Sequence, residues 1–190
     1  MNDRNLDVLA SSVQKTNLWL KDIAYEIHIP SRHKAYVALR SVLHTLRECI
    51  PVDELANFSA QLPLFITGVL YEGWKPHRKP IRFTREDFFD HVQHLMRNQP
   101  GLDPALATRA VFLVLSRHIS PGEVRALRQI LPREVRGLWL DIESELLDGR
   151  DEVIRPRSEH FRPVEEEQRR LGAPPSWRPS DRYRGYYGPR

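Results

Sequence analysis

Tyr36, Leu39, Leu43, Leu46 and Ile50 recur at three and four residues, the spacing that lays one apolar stripe along a helix. The same period returns in Phe88, Phe89, Val92, Leu95 and Met96, and no segment alternates polar and apolar as a half-buried strand does. Punctuation divides the chain into eight helices. In the first half they run from Leu6 to about Ile27, Ser31 to about Cys49, Val52 to Gln61, and Pro63 to about Glu72. In the second half Thr84 with Asp87 reads as a capping box, opening a helix to about Arg97. Asp103 caps the next, with Pro104 at a first position where a missing amide costs nothing. Ser120, Pro121 and Glu123 repeat the start signal. Leu131-Pro132 then closes that short helix and opens the last, to about Leu147. Val111 to Leu115 is apolar on every side, which predicts the central helix.

Sliding the sequence by 69 residues aligns the two halves without a gap. Arg40 meets Arg109, Val42 Val111, Leu46 Leu115, Ile50 Ile119, Glu54 Glu123, Leu62 Leu131, Pro63 Pro132 and Gly68 Gly137. One constant offset over that length predicts an internal duplication. The expected fold is all-α, two tandem four-helix repeats followed by a disordered carboxyl-terminal tail. The first repeat covers residues 1–74, an exposed connector 75–82, the second repeat 83–150 and the tail 151–190. Whether the repeats form one compact domain or two, and whether they dimerise, is left open by spacing alone.

His33-Lys34-Ala35-Tyr36, Leu39 to His44, and Leu46-Arg47 resemble a bacterial family of unknown function, the domain-of-unknown-function family 2267. So do Gln61-Leu62-Pro63, Tyr71-Glu72-Gly73-Trp74, Arg117 to Glu123, and Leu131-Pro132. These strings span about residues 10 to 140. The resemblance implies an all-helical bacterial protein and brings no activity, cofactor or partner with it.

Charge changes the picture at one end. Met1 to Arg169 holds 24 basic and 24 acidic side chains, while Arg170 to Arg190 holds five arginines against Asp181, so the net +4 sits in the last 21 residues. Trp177, Arg178, Arg182, Tyr183, Arg184, Tyr186, Tyr187 and Arg190 interleave aromatic anchors with guanidinium groups, a composition that docks in a protein groove or stacks on bases. The expected function is a non-enzymatic adaptor or scaffold that binds a macromolecular partner, most simply a protein, through this tail. The alternatives are a nucleic-acid-binding protein using the same basic tail, and a metal-dependent enzyme of unknown reaction.

The enzyme reading has little to stand on in the sequence. The lone Cys49 forms no internal disulfide, thiolate zinc site or redox pair, and burial beside Ile50 is the expected role. Asp87, Asp90, His91 and His94 share one helical face and are of metal-ligating type, but a plain solvated surface is the expected reading of that face. No catalytic residue, metal or cofactor is expected. His33, His44 and His118 are assigned to packing and helix ends, and Trp74 and Trp139 to burial at the close of each repeat. Arg125, Arg128, Arg133 and Arg136 lie on a helix pair that superficially resembles a DNA reader, but Glu123 and Glu134 are interleaved with them. The absence of a long apolar run or a signal-peptide layout predicts a cytoplasmic protein away from the membrane.

Overall fold

A computed structural model describes residues 4–76, 80–96 and 99–148. The tail lies outside the described residues, and with it every one of its site residues, from Trp177 to Arg190. Eight helices and no strand are present among the described residues: α1 (Arg4–Glu26), α2 (Arg32–Glu48), α3 (Val52–Ser59), α4 (Leu64–Tyr71), α5 (Arg85–Leu95), α6 (Pro104–His118), α7 (Pro121–Ile130) and α8 (Arg133–Asp148).

The helix starts are set by the residues that the sequence marks. Ser31, Thr84, Asp103 and Ser120 each accept a backbone amide three residues on, and Thr84 and Asp87 form the reciprocal capping box. Pro51 and Pro63 precede α3 and α4, and Pro132 sits between α7 and α8. The residue before each proline is pushed out of the helical region, so the chain turns there.

Both halves belong to one compact unit. Its centre is the pair α2 and α6. Outer helix α1 packs on α2 and also on α6, and α5 packs on α6 and also on α2. Exchanging α1–α4 for α5–α8 turns these pairs into one another, turns α2–α4 into α6–α8, and leaves α2–α6 and α3–α7 unchanged.

One expectation needs correction. The period predicts a single stripe on α2, yet Ser41 to Arg47 is buried on every side, whereas Tyr36 at the start of the stripe is only half-buried. Two outer helices and α4 close around α2, so it is as central as α6. Burying Ser41, His44, Thr45 and Arg47 obliges each to find partners or lose stability. Where those partners lie defines the candidate site.

Candidate functional site

Helix α4 has only eight residues, and its last carbonyls have no intrahelical donor. Side chains of α2 supply them. His44 Nε2 donates to the Val69 carbonyl at 2.7 Å, and Arg47 Nη1 donates to the carbonyls of Leu70 at 2.5 Å and Glu72 at 2.9 Å. Arg40 Nε adds an ion pair to the Glu72 carboxylate at 2.8 Å. Gly73 then turns the chain with φ +64°, in the left-handed region that a side chain resists. Trp74, half-buried, packs its ring 5.7 Å from Tyr71. Two separated strings of sequence thus form one device, in which α2 caps the end of α4 from the side.

A cleft of about 250 Å³ opens beside this device, lined by Arg47, Glu48, Ile50, Pro51, Val52, Asp53, Trp74 and Pro80. Arg47 Nε donates to Glu48 Oε1 at 3.3 Å, so the buried guanidinium and the largely buried carboxylate compensate each other. Burial lowers the Arg47 guanidinium from its ordinary pKa, and the bond to Glu48 works against that. The connector closes one side, where the Ile81 amide donates to the Glu48 carbonyl at 2.7 Å. The described residues of the connector, Lys75, Pro76 and Pro80 to Arg82, are exposed as expected, and the Ile81 backbone ties it to α2.

The sequence profile of the family described as "Uncharacterized conserved protein (DUF2267)" matches residues 16–138. The chain belongs to that family. No curated protein matches the chain. In this DUF2267 protein the matched segment contains the whole α2–α4 capping device and, of the corresponding helices of the second half, all of α6 and the start of α8.

The groups best suited to proton or nucleophile chemistry are engaged in packing. Cys49 is buried, its Sγ lies 3.5 Å from the Thr45 carbonyl, and burial, with Glu48 adding to it, pushes the thiol up to about 12. A thiolate is therefore scarce at neutral pH. Thr45 gives its one proton to the Ser41 carbonyl at 2.9 Å, so in its 3.0 Å bond with His91 Nδ1 the imidazole is the donor. Asp87 accepts from Thr84 within the capping box, while Asp90 and His94 face solvent, so these three do not converge with His91. Among the described residues no group of three His, Cys, Asp or Glu is placed to hold a metal ion.

Helices α1 and α6 carry a second polar cluster that sequence reasoning missed. Glu26, buried, accepts from Arg117 at 2.8 Å and pairs with Arg109 at 3.8 Å. His118 faces Asp22, Nε2 to Oδ2 2.7 Å, and stacks on Trp19 with centroids 5.0 Å apart. His118 ends α6 as expected, and a carboxylate and an aromatic face from α1 add to that structural role. The signal was present in the offset, which places Asp22 opposite His91 and Arg117 opposite Glu48. His33, by contrast, is exposed and lies 2.8 Å from the Gln99 amide.

Arg125 and Arg128 line a smaller cleft of about 190 Å³ with Ser116, Pro121 and Val124. Arg136 turns back and donates to the carbonyls of Gln129 and Leu131, capping α7. It therefore does not extend a basic row along α8. Trp139 is fully buried, and Trp74 partly so, as the sequence reading expects.

Burial holds His44 down at about 4 despite its bond to the Val69 carbonyl, and it lowers His91 as well. An unfolded imidazole titrates near 6.5, so between about 6.5 and about 4 the unfolded chain binds a proton that the native chain does not. Stability is expected to fall as pH drops through that window and to level off below it, with His44 contributing up to about 3 kcal/mol. Urea midpoints measured across the window check this. The drop should shrink in His44→Gln, and an unchanged drop would assign the effect to other groups.

Proposed function

We propose that this DUF2267 protein is a non-enzymatic helical adaptor of the bacterial cytoplasm. Its folded body serves as a platform and its carboxyl-terminal tail binds a protein partner. The observation that carries this reading is the engagement of Cys49, His44, His91 and His118 in packing contacts within the body. The net basic charge and the clustered aromatic anchors meanwhile fall in the last 21 residues. Trp177, Tyr183, Tyr186 and Tyr187 are the anchors in this reading, and Arg178, Arg182, Arg184 and Arg190 the charge contacts.

The test compares the intact chain with a version ending at Arg150 and with a full-length variant carrying Tyr183→Ser, Tyr186→Ser and Tyr187→Ser. Both should lose a protein that the intact chain captures. Equal capture by all three defeats the proposal. A second reading, nucleic-acid binding, is favoured by the charge asymmetry alone. It requires affinity that drops steeply with added salt and with replacement of the tail arginines.

A further inference from the structure

None of the eight residues of α4, Leu64–Tyr71, is charged, yet one side of it reaches the surface. Leu64 is 55% and Phe65 45% exposed. Gly68 continues that side one turn on, where an added Cβ would meet nothing within 4 Å. A helix in water ordinarily turns polar groups outward, and one that is apolar all round is ordinarily covered all round.

Beside α4 lies the amino-terminal half of α1, with Val8 63%, Leu9 44% and Val13 43% exposed. The Phe65 amide donates to Ser12 Oγ at 3.4 Å, which places the two helices side by side at this level. Val8, Leu9 and Ser12 also continue the three-and-four spacing that buries Trp19 and Ile23 farther along α1. Among the described residues, the core-facing stripe of α1 therefore runs on past those that cover it.

We propose that the α1/α4 face pairs with the same face of a second copy, giving a two-fold homodimer. Two arguments select a second copy over another occupant. The five exposed side chains are all apolar, and interfaces between identical subunits are the more apolar class. Area is the second. Across a two-fold pair they bring together roughly 800 Å² of apolar surface, so a polar rim suffices to reach the about 1,200–2,000 Å² of a stable interface. The tail has no part in this pairing, so it stands or falls apart from the adaptor reading.

Sedimentation equilibrium of the full chain over a concentration series tests it. The mass should approach twice the 22.3 kDa of one chain and fall toward one chain on dilution. Leu64→Glu and Val13→Lys, on different helices, should each raise the dissociation constant at least about tenfold, since each charge is repeated across the two-fold axis. Leu140→Lys, at a comparably exposed apolar residue of α8, should dimerise like the parent. Far-ultraviolet circular dichroism establishes that each variant is folded. A parent that is monomeric at every concentration overturns the proposal. So does a dimer that survives both Leu64→Glu and Val13→Lys, or one that Leu140→Lys breaks equally.

Discussion

Trp139→Ala is expected to lower the unfolding free energy by about 4 kcal/mol, a large share of what holds a domain of this size together. The indole is fully buried, stacked on Phe112 with centroids 4.2 Å apart, and its Nε1 donates to Ser116 Oγ at 2.9 Å. Phe112 in turn meets Phe88 edge-on at 6.1 Å, so α8, α6 and α5 share one aromatic column. Removing the ring leaves a cavity that three helices border, and rigid helices relax into such a space only in part. Trp139→Phe keeps most of the volume but leaves the Ser116 hydroxyl without its donor, and a smaller loss is expected. Equilibrium urea unfolding of the parent and both variants, with m-values compared, checks the order. If Trp139→Ala is no less stable than Trp139→Phe, the column does not hold the second half together.

Arg47→Met is the other large effect, at about 3–5 kcal/mol. Methionine preserves the apolar stem, so the loss isolates the guanidinium. That group donates to the carbonyls of Leu70 and Glu72 and compensates Glu48, all in the space between α2 and α4. Without it two helix-end carbonyls lose a donor and a largely buried carboxylate loses its partner charge. Arg47→Lys keeps the charge but not the forked donor geometry, and should fall between parent and Arg47→Met. Hydrogen exchange localises the effect, with α4 amides opening first in Arg47→Met. Uniform loss of protection over all helices would show instead that Arg47 stabilises the body as a whole.

The α2–α4 device also shows why part of the candidate site was not readable along the chain. Arg40, His44 and Arg47 lie on α2 at three and four residues, a pattern that also describes the solvent face of any amphipathic helix. The pattern gives the face but not what the face meets. Glu26 and Asp22 stayed unnoticed for the same reason, since their partners Arg117 and His118 are more than 90 residues away. Cys49 was easier, because an isolated thiol between Glu48 and Ile50, with no cluster of cations around it, already favours burial. The place of His118 in the last turn of α6 is legible locally, but the Asp22 carboxylate and Trp19 ring that hold it come from α1 and leave no mark near it in the sequence.

Helix positions, starts and stops were determined locally, by capping side chains, prolines and apolar period, because those forces act within a few residues. The same sequence carries the 69-residue correspondence between halves and the concentration of basic charge at the carboxyl end. Tertiary structure alone decided that Ser41 to Arg47 of α2 is buried on every side, that each outer helix packs on the central helix of the other half, and that an apolar face of α1 and α4 is left open among the described residues. Those outcomes depend on which helix faces close on one another. Side-chain spacing states that a face wants cover, but only the packed arrangement settles what covers it.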